Sequence, residues 1–332
     1  MSRTTIIFFL IIMSKFVLAQ NRGMIYRDLD HALKYNDSVI ILNLSELNLT
    51  SLPKVVRKFK NLEVLNLSNN NLEHFPNELK NNKKLKELNL NMNKIRRVRI
   101  RSRRFRNLTK LSLAKNRIDE FYHSLYRLPK LKNLNLADND ISILPNRINK
   151  MDSLEVLILY KNNLTNLPIE LYELYKLKEL DIYYNNIKFI DSSIIKLQNL
   201  ERLYLSFNKI EKLPISICKL SKLTYLYVQG NLLDEIPLCV SDLHELERLD
   251  IKYNKFKYFP EEVLSLKKIV ELDVSGNNLS RLPNKLLELE KLELLMIRDN
   301  PLLFKGINQH MNQQIINQLE QKKVIVKYLI ND

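Results

Sequence analysis

LEVLNLSNNNLEHFP, residues Leu62–Pro76, contains the frame on which the chain is built. Leu62, Leu65, Leu67, Asn70, Leu72, Phe75 and Pro76 hold the frame, with polar or charged residues between them. The frame returns 23 residues later as Leu85, Leu88, Leu90, Asn93 and Ile95. The asparagine then recurs at Asn116, Asn139, Asn162, Asn185, Asn208, Asn231, Asn254, Asn277 and Asn300 without insertion or deletion. Self-similarity at a fixed period is the signature of a stacked repeat.

Each fixed position implies a physical task. Leu65 and Leu67 alternate with polar residues at period two, which predicts a short strand buried on one face. Such a strand is stable only when neighbouring turns stack beside it in a parallel sheet. The asparagine follows the strand, where its two N–H donors and one oxygen acceptor can satisfy backbone groups of its own turn and the next. Leaving such groups buried and unpaired costs roughly 1–3 kcal/mol. Proline fixes φ on the return path and gives up a donor that the path does not need. Leu79, Ile148, Leu171, Ile194, Ile217, Val240, Val263 and Leu286 are expected to fill the outer side of the core.

The pattern LxxLxLxxNxLxxLPxxLxxLxx resembles the leucine-rich-repeat family, over twelve turns from Val39 to about Leu302. Its 23-residue length is similar to the Ras-suppressor-type and secreted bacterial members. The resemblance implies an α/β repeat fold: a curved solenoid with a parallel β-sheet on the concave face and irregular, 3-10 or short helical segments on the convex face. It also implies binding rather than catalysis, and names no partner.

The two ends break the pattern. Arg3, the apolar run Ile6–Met13 and the Val17-Leu18-Ala19 site read as a secretory signal peptide over residues 1–19. A buried N-terminal helix is the competing reading. Residues 20–38 are expected to hold a capping helix, from the spacing of Ile25, Leu29, Ala32 and Leu33. Residues 39–302 then carry the repeats, the first with Leu47 in place of the asparagine. Residues 303–332 are expected to form a cap, with a helix over Gln309–Gln321 and a strand over Lys323–Ile330 that covers the last sheet edge. Disulfide-bonded cysteine clusters, which flank the repeats in eukaryotic secreted members, are absent from this sequence. Only Cys218 and Cys239 occur, in successive turns but offset by two positions, and the offset favours two unbonded small residues. Most of the N-x-S/T sequons arise because the repeat itself writes N-L-S and N-L-T.

If the leucines point inward, the residues six, four, two and one before each asparagine point out of the concave sheet. In the first five turns these are mostly small and polar, as at Asn43, Asn66, Asn89, Ser112 and Asn135. From the sixth to the tenth turn they become Tyr160, Tyr183, Tyr184, Tyr204, Phe207, Tyr225, Tyr227 and Tyr253, interleaved with Glu179, Asp181, Arg202, Arg248, Asp250 and Lys252. Exposed aromatic patches mark interaction sites, and tyrosine gives large, rigid contact area at low entropic loss. The set Tyr160, Tyr183, Tyr184, Arg202, Tyr204, Phe207, Tyr225, Tyr227, Arg248, Asp250 and Tyr253 is therefore the candidate partner-binding site. Tyrosine's high β propensity supplies the alternative, a sheet stabilised by stacked rings.

Lys94–Arg106 holds eight basic residues and no acidic one, within a chain of formal net charge +16. Arg96, Arg97, Arg99, Arg101, Arg103, Arg104 and Arg106 are candidates for binding a polyanion such as an acidic polysaccharide. The cluster has a single aromatic, Phe105, and no interleaved series of them, which argues against nucleic acid. Four scattered glycines leave no phosphate loop, and the five histidines show no metal-ligand spacing, so neither cofactor nor metal is expected. No later stretch has the length of a transmembrane helix. The sequence is thus read as an exported, non-enzymatic recognition protein, secreted or at a cell surface, for a protein or peptide partner. The competing function is a carbohydrate-binding or adhesive protein using the same tyrosines or the basic segment.

Overall fold

A computed structural model describes residues 24–100, 105–303 and 308–328. The expected signal peptide lies outside the described residues. The chain forms two compact units, Met1–Asp140 and Ile141–Asp332.

The first unit stacks parallel strands in chain order: β1 (Ile25–Tyr26), β2 (Ile41–Asn43), β3 (Val64–Asn66), β4 (Glu87–Asn89), β5 (Lys110–Ser112) and β6 (Asn133–Asn135). Successive strands pair one period apart, Leu42 with Leu65 and Leu65 with Leu88, so each central leucine is buried on its neighbour. The N-terminal helix is shorter than the spacing suggested. Asp28 accepts hydrogen bonds from the Asp30 and His31 N–H groups and so starts helix α1 at Leu29–Lys34. Ile25, upstream of that cap, lies instead in β1 and pairs with Ile41.

The second unit repeats the design with β7 (Val156–Ile158), β8 (Glu179–Asp181), β9 (Arg202–Tyr204), β10 (Tyr225–Tyr227), β11 (Arg248–Asp250), β12 (Glu271–Asp273), β13 (Leu294–Met296) and β14 (Ile325–Lys327). Opposite the strands run 3-10 segments such as Ile169–Glu173, Ile215–Lys219 and Leu238–Asp242. Pro168, Pro214 and Pro237 open them, and each proline carbonyl accepts the N–H three residues on. Where proline is missing, the Asp191 carbonyl likewise accepts the Ile194 N–H, and its side chain adds a bond from the Ser193 N–H at 2.7 Å. Leucine-rich parallel strands on one side, 3-10 segments on the other and a leucine core between them make the leucine-rich-repeat solenoid that the period implied.

The asparagine ladder is satisfied as the amide's chemistry requires. Asn185 Nδ2 donates to the Ile182 and Leu159 carbonyls, both at 3.0 Å, and its Oδ1 accepts the Leu164 N–H at 3.0 Å. The bonds run to the asparagine's own turn and to the preceding one, not to the next. Past the end of the strand, Leu159 and Leu164 lie beyond the sheet ladder, and the side chain supplies their partners.

At the C-terminal end, helix α2 (Gln309–Gln321) packs Ile315, Ile316 and Leu319 inward, and β14 pairs with β13. Fully buried Asn312 continues the ladder from this helix, accepting the Leu282 N–H and donating to the Leu302 and Ser280 carbonyls.

Cys218 and Cys239 are joined in a disulfide with Cα atoms 5.8 Å apart, contrary to the expectation of two unbonded residues. Along a strand, an offset of two positions would span about 6.6 Å. Both cysteines sit in 3-10 segments, where two residues rise only about 4 Å, so adjacent turns bring them within bonding range.

Candidate functional site: an aromatic face on the strands

In the second unit the inward positions of β7 to β11 are taken by Leu157, Leu180, Leu203, Leu226 and Leu249, all buried. The alternation of the strand then turns the intervening residues outward. The expected site residues lie on this face, in two packed groups and one isolated ring.

In the first group, Tyr160 stacks on Tyr183 with ring centroids 5.1 Å apart, and Tyr184 stacks on Phe207 at 5.0 Å. Tyr183 meets Tyr184 and Phe207 edge-on at 5.2 and 5.3 Å, tying the two stacks together. In the second, Tyr204 meets Tyr227 edge-on at 5.3 Å, Tyr227 lies parallel to Tyr225 at 6.3 Å, and the Arg248 guanidinium covers Tyr225 at 5.2 Å. Edge-to-face and offset pairs at these separations each add about 0.5–1.5 kcal/mol beyond burial. Tyr253 stands apart, with Lys252 Nζ 4.8 Å above its ring.

Three of these rings grow from an unusual backbone. The residue before each ladder asparagine is left-handed, with φ +56° at Tyr184, +51° at Phe207 and +51° at Tyr253. Bulky side chains rarely occupy this region. The conformation is held because each N–H donates to a carbonyl of the next turn: Tyr184 to Ser206, Phe207 to Gln229 and Tyr253 to Ser275. The Phe207 and Tyr253 rings then lie across the same position one turn on, which is Gly230 and Gly276. A Cβ at Gly230 would stand 2.8 Å from Phe207 Cδ1, and one at Gly276 only 1.9 Å from Tyr253 Cδ1. Glycine at these two sites therefore makes room for a ring as well as for a positive φ (+64° and +59°).

Charge on the face is arranged in columns. Six residues before the asparagine, Arg202 pairs with Glu179 at 2.8 Å and Arg248 with Glu271 at 3.4 Å. Four before it run Asp181, Tyr204, Tyr227, Asp250 and Asp273 on consecutive strands. Each of the three aspartates accepts the N–H two residues on, from Tyr183, Lys252 and Ser275. Among the described residues no ion pair reaches any of them. Burial pushes Asp181 up to about 6, and burial with the neighbouring Asp273 charge pushes Asp250 up to about 7. Burial likewise raises the Tyr204 hydroxyl to about 12, so this ring is a neutral donor.

Sequence reasoning found the rings and the flanking charges but missed Gly230, Gly276, Glu271 and Asp273. A signal for the glycines was present: Gly230 follows Phe207, and Gly276 follows Tyr253, by one period of 23. Of the basic segment, Arg96, Arg97, Arg99 and Arg106 are exposed in the first unit, Arg97 bridging to His74. Arg101, Arg103 and Arg104 lie outside the described residues. The described residues contain no metal-binding group of histidine, cysteine and carboxylate side chains, and no helix long and apolar enough to cross a membrane.

Family models described as leucine rich repeat match residues 84–141 and 175–233, and a second of the same description matches residues 61–82. The fold is similar to that of a leucine-rich-repeat protein of Leptospira interrogans, at 24% identity and TM-score 0.67, over 92% of this chain and 100% of that one. An internalin (inlF) from Listeria monocytogenes aligns at 21% identity and TM-score 0.71, over 90% of this chain and 89% of its own. A TDR receptor aligns at 25% identity and TM-score 0.67, over 83% of this chain and 54% of its own. No curated protein matches the sequence. A period of 23 residues, an unbroken asparagine ladder and agreement with models and folds of one kind lead to a single assignment: the chain is a leucine-rich-repeat protein.

Proposed function

We propose that this is an exported, non-enzymatic recognition protein that grips a protein or peptide partner across the aromatic face Tyr160–Tyr253. The observation that carries this reading is the localisation of the rings. Seven tyrosines and a phenylalanine occupy outward positions of five consecutive turns, where five turns of the first unit present mostly asparagine, serine and alanine. The repeat needs no aromatic residue there, since the first unit stacks without them. Strands about 4.8 Å apart give the patch a width of roughly 20 Å, suited to an interface near 800 Å² per partner.

The aspartates support the same reading and add a preference of charge. In the first unit Asn43, Asn66 and Asn135 make the turn bond that Asp181 and Asp250 make in the second. The bond needs an oxygen and not a charge, so the half-buried negative charges are surplus to folding and favour a partner that brings a cation between the rings. Ring faces already stacked on one another are less available to sugar rings, which places carbohydrate second. The disulfide suits an oxidising compartment and so supports export. Solenoids of similar fold include proteins named as an internalin and a receptor.

The test is affinity capture from the native environment with the parent chain and with Tyr204→Ala/Tyr227→Ala. A protein partner retained by the parent and lost about tenfold or more by the variant, at an unfolding midpoint within a few degrees of the parent's, is the expected result. Undiminished capture by the variant would remove the aromatic site. A glycan array positive for neutral sugars, with no protein captured, would put the carbohydrate reading first.

A further inference from the structure

The chain leaving the strand has two positions, four and seven residues after the ladder asparagine, that face outward in most of the described turns; in the turn of Asn93 the second is the buried Ile100. In the turns of Asn70 and Asn116 they hold His74 and Asn77, then Glu120 and His123. In the turn of Asn277 they hold Arg281 and Asn284. In the six consecutive turns from Asn139 to Asn254, one of the two is always large and apolar: Ile143, Ile169, Phe189, Ile215, Leu238 and Tyr258. All six lie in the second unit and all are exposed, Ile215 at 74%, Leu238 at 78% and Tyr258 at 85%. The core does not use them, because the position next to the first one (Leu213, Ile236, Phe259) already faces inward. A row of this kind on one flank, ending sharply at both ends, is the mark of a covered surface.

Part of it forms a groove of about 1110 Å³ lined by Ile215, Leu238, Cys239, Tyr258 and Pro260. The lining of this groove carries Asp234, Glu235, Glu261 and Glu262 against Lys212, with Lys257, Arg281 and Lys285 in the adjoining groove that shares Tyr258 and Glu261. Lys212 pairs with Glu235 at 3.3 Å, and among the described residues no ion pair reaches Asp234, Glu261 or Glu262. An apolar trough with a negative rim, on a chain whose net charge is +16, selects the sign of what fills it. A second copy meeting it about a two-fold axis would set acidic rim against acidic rim. An anionic lipid surface would be repelled for the same reason.

The geometry points to a second docking surface, on the flank rather than the strand face, for a basic amphipathic segment of a partner protein. Apolar side chains of that segment seat between Ile215, Leu238 and Tyr258, and its lysines or arginines lie along Asp234, Glu261 and Glu262. Six turns at about 4.8 Å spacing give a stripe of roughly 24 Å. A helix of about 18 residues, roughly 27 Å long, matches it.

The probe is a labelled peptide of that length built from leucine and lysine on opposite faces, with leucine/glutamate and serine/lysine peptides beside it. Fluorescence anisotropy on the intact protein is expected to show binding of the leucine/lysine peptide alone, weakening as salt is raised. Ile215→Ser with Leu238→Ser should weaken it about tenfold or more. Glu261→Gln with Glu262→Gln should weaken it several-fold and flatten the salt dependence. Tyr204→Ala/Tyr227→Ala should leave it unchanged, which separates this surface from the strand face. Ile215, Leu238 and Glu261 are exposed and Glu262 is partly so, and an unchanged unfolding midpoint checks that the fold is intact. Equal binding of the leucine/glutamate peptide, or binding that survives Ile215→Ser/Leu238→Ser, overturns the proposal. So does a dimer in sedimentation equilibrium that those two changes dissolve, or retention on phosphatidylserine vesicles that they abolish.

Discussion

At the scale of single residues, the ladder asparagines and the ring-bearing turns decide what can be substituted. Asn208 donates to the Ile182 and Leu205 carbonyls and accepts the Ile187 N–H, all at 2.9–3.0 Å and all buried. Asn208→Ala strands these three backbone groups, and at roughly 1–3 kcal/mol for each it should cost at least about 3 kcal/mol in denaturant unfolding. Gly276→Ala is expected to destabilise for two separable reasons. Alanine at φ +59° costs about 1–2 kcal/mol, and its Cβ collides with the Tyr253 ring. In a Tyr253→Ala background the collision disappears, so the cost of Gly276→Ala should fall to the backbone contribution. Equal costs in both backgrounds would mean that the ring does not rest on the glycine. Asp250 gives the pH prediction. Its folded-state value, about 7, lies above the ordinary 3.8, so the native state holds a proton that the unfolded chain has released. The stability it contributes is complete below about pH 4 and is lost as pH rises through 7. Asp250→Asn keeps the oxygen that accepts the Lys252 N–H and removes the charge. The variant should therefore be more stable than the parent above pH 7, with a flatter stability profile between pH 4 and 7. A steeper profile would contradict the buried carboxylate.

Among the elements, the strands and the segments opposite them differ in how openly the sequence announces them. The strands were legible because period-two alternation of leucine, isoleucine or valine survives in every turn, and so were helix α2 and the strand after it. Rings, too, could be placed on the outward face, since the frame fixes which positions point away from the leucines. Their grouping was not legible: Tyr204 joins Tyr227, and Tyr183 joins Phe207, through side-chain angles that no spacing encodes. The carboxylate environments were hidden for the same reason, because burial of Asp250 depends on the neighbours of β10 and β12. The cysteines show the opposite failure. Their spacing was visible, but the 3-10 geometry that turns an offset of two into a Cα separation of 5.8 Å was not. The bond crosslinks the segments Ile215–Lys219 and Leu238–Asp242 and closes a loop with a sequence separation of 21. Chain-entropy reasoning assigns a loop of that size about 3 kcal/mol. Cys218→Ser/Cys239→Ser, or a reductant, should accordingly lower the unfolding midpoint and speed hydrogen exchange in these two turns first. A midpoint indifferent to reductant would show that stacking alone holds them.

For the molecule as a whole, a row of turns in which each leans only on its neighbours has a stability that sums along the row. The ends then matter out of proportion to their size, because an end turn has one interface where others have two. In the second unit that end is closed by helix α2 and β14. Ile325 N–H donates to the Glu293 carbonyl and the Lys327 carbonyl accepts the Ile297 N–H, so the outer edge of β13 is paired. The helix buries Ile315, Ile316 and Leu319, and Asn312 satisfies backbone groups of Leu282, Ser280 and Leu302 that would otherwise be stranded. A chain ending at Leu303 loses all of these at once. Its last strand, Leu294–Met296, would present an unpaired edge beside uncovered leucines, a template for another strand. Such a truncation should associate in light scattering at concentrations where the parent is dispersed, and exchange its Leu294–Met296 amides far faster. The point change Asn312→Ala separates the two contributions. It leaves β14 paired while unsatisfying the buried groups, so it should destabilise the last turn without exposing the edge or promoting association. If the truncated chain remained dispersed with protected amides, closure of this end would lie in the repeats themselves and not in the helix and strand that follow them.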